Sequence, residues 1–174
     1  MAWDAFISLA CTAGCTLQTL SHQLQCPRGS QTDGPNASDR EGMSFDIPVL
    51  LLTWRRPDTT KQVIEALRAV SPSHLYVASD GPRSQAEARA VEATRDLISA
   101  LIDWPCELRT RFIDHNQGCQ LGVSSAISWF FENEEAGIIL EDDCVPHPDF
   151  FTYCRALLMR YSYDTRIWCI SGDN

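Results

Sequence analysis

Ile47-Pro48-Val49-Leu50-Leu51-Leu52-Thr53, running on into Trp54-Arg55-Arg56-Pro57, is the stretch that decides the fold. An apolar run this continuous lacks the alternation of a half-solvated strand and marks one buried on both faces. Pro57 then predicts a helix start, because proline's missing N–H is harmless in a first turn. Behind it Val63, Ile64, Leu67 and Val70 lie one, four and seven residues apart, the stripe of an amphipathic helix. A doubly buried strand needs cover on each face, so these residues already point to an α/β sheet.

The same change of period repeats downstream. Residues 75–78 read as a second strand, and 86–102 as a helix with Val91, Thr94, Ile98 and Leu101 on one stripe. Residues 108–113 read as a third strand, 123–131 as a helix and 137–140 as a fourth strand. A helix opening at Pro148 carries Phe150, Phe151, Cys154, Leu157, Leu158 and Tyr161, and 167–171 read as a fifth strand. No hairpin signal separates these elements. The pattern predicts a mostly parallel, twisted sheet with helices on both faces.

Residues 1–42 differ in character. Residues 5–11 are mildly apolar, but Asp4 stands where a signal peptide wants positive charge, and the run is too short to span a membrane. From Cys26 to Gly42 the composition turns to Pro, Gly, Ser, Asn, Asp and Gln, that of a poorly ordered linker. The expected division is therefore a poorly ordered extension over 1–42 and one domain over 43–174.

The whole chain of 174 residues is 44% hydrophobic and 21% charged, a globular composition. Fourteen basic residues against 23 acidic ones give a net charge of -9. The arginines are scattered and Lys61 is the only lysine, so no cationic patch awaits a phosphate backbone and nucleic acid is not an expected partner. Lys61 stands in Thr59-Thr60-Lys61-Gln62 rather than in Gly-Lys-Ser/Thr, which excludes a Walker-type ATPase. None of the eight cysteines forms Cys-x-x-Cys or has zinc-finger spacing, and Cys154 and Cys169 lie in apolar runs. Reduced thiols in a cytoplasmic protein are the expectation, with peripheral membrane docking left open.

In open α/β sheets, ligands bind beyond the carboxyl ends of the strands. Here each predicted strand runs into polar residues: Thr53-Trp54-Arg55-Arg56, Ser79-Asp80-Gly81-Pro82-Arg83, Asp114-His115-Asn116-Gln117-Gly118, Glu141-Asp142-Asp143 and Ser171-Gly172-Asp173-Asn174. The opposite ends carry ordinary turns such as Ser71-Pro72-Ser73. Successive carboxylates at Glu141-Asp142-Asp143 raise one another's pKa unless a cation neutralises them. Mg²⁺ or Mn²⁺ suits carboxylates that also face a phosphate. A solvated acidic turn, or an N-cap for the helix at Pro148, is the alternative. Asp80 and Asn116 stand in sequences that also make plain turns. Arg55, Arg56 and Arg83 either balance a diphosphate or solubilise the surface, and Trp54 either stacks on a base or joins the core. His115 and His147 lack a second histidine at ligand spacing.

In order and spacing these motifs resemble the GT-A glycosyltransferases, in particular the bacterial family-2-like nucleotide-diphospho-sugar transferases. The match covers about residues 46–174, and Glu141-Asp142-Asp143 looks like the metal motif of the mannoside N-acetylglucosaminyltransferases, a variant of the family's Asp-x-Asp. The resemblance implies metal-dependent transfer of a sugar from a nucleotide-diphosphate-sugar donor to a hydroxyl of an unidentified glycan, lipid or small-molecule acceptor. It implies that Asp80 contacts the base or ribose, that Thr53 and Arg55 line the nucleotide pocket, and that Arg83, Asn116 and Gly118 complete the donor site. Asp143 would coordinate Mn²⁺ or Mg²⁺ at the diphosphate, while Glu141 and Asp142 hold ribose, sugar or metal-bound water. Inverting relatives place the base that deprotonates the acceptor downstream of the metal motif. The expectation is thus a truncated, donor-binding half with its base beyond Asn174. Two readings compete: a nucleotide-sugar-binding or structural remnant, and a phosphoaspartyl-type α/β domain. The latter wants aspartates where this chain has Thr53-Trp54-Arg55.

Overall fold

Val49–Thr53 is a strand (β2) with every residue buried, as its apolar run requires, and the rest of the sheet is arranged around it. The computed structural model describes residues 8–11 and 45–171. Between them run β1 (Ser8–Cys11), then β2, α1 (Pro57–Val70), β3 (His74–Ser79), α2 (Gln85–Leu101), β4 (Glu107–Phe112) and α3 (Gly118–Phe131). They are followed by β5 (Ala136–Glu141), α4 (Pro148–Tyr161) and β6 (Cys169–Ser171). The sheet order is β4-β3-β2-β5-β1-β6. β4, β3, β2 and β5 are parallel to their neighbours in this series, giving the Rossmann-like α/β sheet that the sequence predicts.

Side-chain parity in β2 assigns the helices to faces. Val49 and Leu51 pack with Val63, Ile64 and Leu67 of α1, Ile98 of α2 and Phe151 and Cys154 of α4. Leu50 and Leu52 pack on the other face with Ala126 and Phe130 of α3. Adjacent leucines thus serve opposite cores because successive side chains of a strand alternate. Cys154 is fully buried among apolar groups, which pushes its thiol up to about 12. The edge strand β4 instead carries Glu107, Arg109 and Arg111, charges that discourage another chain from pairing there. Among the described residues, no helix is long and apolar enough to cross a membrane.

Three features depart from the expectation. Ser8–Cys11, part of the stretch read as a poorly ordered extension, is β1, antiparallel between β5 and β6. Four uncharged residues suffice to occupy the hydrogen-bonding edge that β5 turns away from β2. The remainder of 1–42 lies outside the described residues, as do Gly172, Asp173 and Asn174. The predicted fifth strand is shorter than expected and pairs with β1 rather than with a parallel neighbour. Helix α3 begins at Gly118, five residues ahead of the predicted Val123, so Asn116-Gln117-Gly118 is a helix entry and not a plain loop.

Gly137 in β5 is required by packing. A Cβ there would stand 2.4 Å from Phe130 Cζ and 2.7 Å from the Pro48 carbonyl oxygen. Gly137→Ala should destabilise the chain by about 1–3 kcal/mol in a urea titration, because the overpacked ring and backbone must move. Adding Phe130→Leu should recover part of that loss. An alanine variant as stable as the wild type would contradict this packing.

Candidate functional site at the carboxyl edge of the sheet

The chain builds outward from β2 to β3 and β4, then crosses back to place β5 on the other side of β2. The order of the parallel strands therefore reverses between β2 and β5, and the crevice of such a fold opens at their carboxyl ends. The loops following β2 and β5 meet there. The main-chain N–H of Trp54 donates to Asp142 Oδ2 at 3.1 Å, and Arg56 donates to Asp142 Oδ1 at 3.2 Å. Arg56 also pairs with Asp143. Burial holds the Asp142 carboxyl above its ordinary range, opposed by the Trp54 N–H and the Arg56 charge. Glu141 is likewise raised by burial and then by Asp143 and Asp142. Burial pulls the Arg56 guanidinium down, but Asp142 and Asp143 more than offset it, and the net shift is upward.

The loops after β3 and β4 meet around Asp80. Its Oδ1 accepts from the N–H of Gly81 at 2.8 Å and of Gln117 at 2.9 Å. Its Oδ2 accepts from Asn116 Nδ2 at 2.9 Å and shares the Gln117 N–H at 3.2 Å. Asn116 also donates to the Gly81 carbonyl at 3.0 Å and accepts from the Gly118 N–H at 3.1 Å. Gln117, at the N-cap of α3, supplies no side-chain cap of its own. Asp80, in the loop after β3, accepts the N–H of that N-cap residue and sets a negative charge at the positive end of the helix dipole. The two glycines of this helix start fit that role. Gly118 has φ +78°, a conformation glycine adopts without strain, and a Cβ on Gly122 would stand 3.3 Å from Asp80 Oδ2.

Trp54 joins the two halves of the crevice. Its indole N–H donates to the Gly81 carbonyl at 2.9 Å, while the guanidinium carbons of Arg55 and Arg83 lie 4.3 and 4.5 Å from its ring centroid. Both arginines reach Glu87 in the first turn of α2, at 2.5 and 2.7 Å. The hydrogen bond from Arg83, followed by the charge of Arg55, holds Glu87 down at about 2.

All the residues expected at the site lie on this edge, in several different roles. Thr53 is buried, and its hydroxyl donates to the Ala78 carbonyl at 3.1 Å, an internal tie between strands. Arg55, Arg83, Asp80, Asn116 and Gly118 belong to the web around Trp54 and Gly81. Glu141, Asp142 and Asp143 form the far wall, which Arg56 reaches from the end of β2. The helix-cap alternative for the acidic triplet does not hold: His147 Nδ1 accepts from the Asp149 N–H at 3.3 Å and caps α4 itself. Sequence reasoning missed Gln117, Glu87 and the joining role of Trp54, and did not separate Arg56 from Arg55. Arg83 precedes the helix that holds Glu87, so no helical spacing linked the two in the sequence. Among the described residues, no group of three or more His, Cys, Asp and Glu side chains is placed to hold a metal ion. No protein-family model and no curated protein matches the chain.

A depressed Glu87 pKa means that the folded chain binds its proton less readily than the unfolded one. Its stabilising contribution is complete above the ordinary glutamate range, near pH 4.3, and declines as the pH falls toward about 2. The stability difference between wild type and Glu87→Gln should therefore be constant from pH 5 to 8 and shrink below about pH 4.5. Urea titrations across that range would check this, and a difference that grew on acidification would refute the assignment.

Proposed function

We propose that this chain carries the donor-binding site of a glycosyltransferase that moves a sugar from a nucleotide-diphosphate-sugar donor to an acceptor hydroxyl on a glycan, lipid or small molecule. The observation that carries the reading is the meeting, across the reversal between β2 and β5, of arginines suited to a diphosphate with a run of carboxylates. Arg56, from the chain leaving β2, pairs with Asp142 and Asp143 of the opposite wall, while Arg55 and Arg83 lie over Trp54 and pair with Glu87. The order of the motifs, which resembles that of GT-A enzymes, supports the same reading.

The donor set fits Mg²⁺ or Mn²⁺ bound in the manner typical of phosphate substrates. Such an ion commonly takes one or two protein carboxylates and completes its shell with phosphate oxygens and water, so it needs no cage of protein ligands. Asp143, whose side chain is 39% exposed at the crevice, would hold it, with Asp142 behind as the buried neighbour. The ion would offset charge building on the departing diphosphate. The chain's own residues orient the donor. Trp54 and Gly81 keep the loops at fixed separation, and Arg55 and Arg83 set positive charge beside them.

The direct test is thermal stability of the full chain with UDP, GDP, CMP and dTDP, each with and without Mn²⁺. A nucleotide at 100 times its dissociation constant should add about 2.7 kcal/mol, a shift of several degrees. The expected result is a shift for one nucleotide that requires Mn²⁺ and disappears in Asp143→Ala. Cooperative melting with no shift for any nucleotide would refute the proposal.

A further inference from the structure

Arg95 lies in α2, outside the polar strand-end motifs, yet its guanidinium reaches the ends of two strands. Nε donates to Ser79 Oγ at 3.1 Å. One terminal nitrogen lies 3.1 Å from the Ser79 carbonyl oxygen, 3.3 Å from that of Asp80 and 2.7 Å from that of Ile113. The guanidinium carbon stands 5.0 Å from the Phe112 ring centroid. The carboxylates facing it are Asp114 and Asp80. These hydrogen bonds go to main-chain carbonyls and one hydroxyl, so they hold backbone rather than match charge with charge. The carbonyls belong to the residues at which the loops after β3 and β4 leave the sheet.

Those loops tolerate little change in separation. A Cβ on Gly81 would stand 2.5 Å from the His115 carbonyl carbon, so the two backbones already touch. Asp80 is gripped at both ends: its carbonyl accepts from Arg95, and its carboxylate accepts from Gly81, Asn116 and Gln117. We infer that Arg95 is a positioning residue of the donor site, fixing from the α2 side the spacing of the loops that carry Asp80, Asn116 and Gln117. The inference rests on the donor-site reading above. It deepens that reading by assigning nucleotide affinity in part to a residue that does not touch the nucleotide. A lysine would keep the charge but lack the rigid fork that spans both strand ends.

The test compares full-length wild type with Arg95→Met and Arg95→Lys. Amide hydrogen exchange is followed at Gly81 and Gln117, which donate to Asp80, and at Leu51 and Leu140 in the sheet core. The dissociation constants of UDP, GDP, CMP and dTDP are measured with Mn²⁺. In Arg95→Met the Gly81 and Gln117 amides should exchange roughly tenfold faster, with Leu51 and Leu140 unchanged, and the nucleotide that binds the wild type should bind about tenfold more weakly. Arg95→Lys should lie between Arg95→Met and wild type on both readouts, and it makes the comparison alone if the methionine variant does not fold. Unaltered nucleotide affinity in the variants would overturn this inference while leaving the donor-site reading intact. Exchange that rises equally at all four amides would overturn it as well, since that marks only a loss of global stability. Failure of the wild-type chain to bind any of the four nucleotides would overturn the donor-site reading and, with it, the role given to Arg95.

Discussion

A carboxylate at the end of a buried parallel strand is costly to keep ionised, and Asp142 is such a group, with 6% of its surface exposed. Both of its hydrogen-bond donors, the Trp54 N–H and the Arg56 guanidinium, come from the chain leaving β2. They lie where the order of the parallel strands reverses. The contact that satisfies Asp142 therefore also fixes the two walls of the crevice relative to each other. Trp54 carries the restraint onward through its indole N–H to Gly81, where Asn116 adds a second donor and ties in Asp80 and the start of α3. A break in such a chain leaves a part-buried polar group unsatisfied, at about 1–3 kcal/mol, and slackens the loops beyond it.

The same contacts answer the question posed by three successive carboxylates. Charge so concentrated demands a cation, and in this fold the chain itself supplies one in Arg56. The acidic wall is thus compatible with folding before any divalent ion arrives. An ion held by Asp143 would meet a site whose electrostatics Arg56 has already partly balanced. Asp142 has both oxygens engaged by Trp54 and Arg56, while Asp143, paired with the same Arg56, stays partly exposed.

How much of this was legible in the sequence depended on the range of the interaction. The doubly buried β2, the opening of α1 at Pro57 and the polar strand ends follow from local composition, and they place the candidate residues on one edge. The start of α3 was not legible. Asn116-Gln117-Gly118 carries ordinary turn chemistry, and the carboxylate that accepts the Gln117 N–H lies 37 residues away along the chain. Arg55 and Arg56 look alike in a sequence, yet the turn out of β2 sends one to Glu87 and the other to Asp142. Arg95 resembles any solvated helix arginine until β3 and β4 are packed beneath it. Ser8–Cys11 has too few residues to show a strand period. Its place in the sheet follows from the free edge of β5, which no local pattern reveals.

The engagement of Asp80 bears on how a nucleotide would be read. By the resemblance, this residue contacts the base or ribose directly. In the fold its Oδ1 already accepts two hydrogen bonds and its Oδ2 two more, one of them shared. A carboxylate has about four lone-pair sites, so Asp80 has little left to offer unless the start of α3 releases it. A ligand that took the Asp80 carboxylate would also disturb Asn116 and Gln117, the groups that set the loop. It is physically simpler for Asp80, with the engaged Asn116 amide and the buried Gly81, to fix the loops and for any recognition to fall to the exposed arginines on Trp54. On that account affinity would depend on how rigidly these loops are held, and Asp80 and Arg95 hold one loop from its two sides.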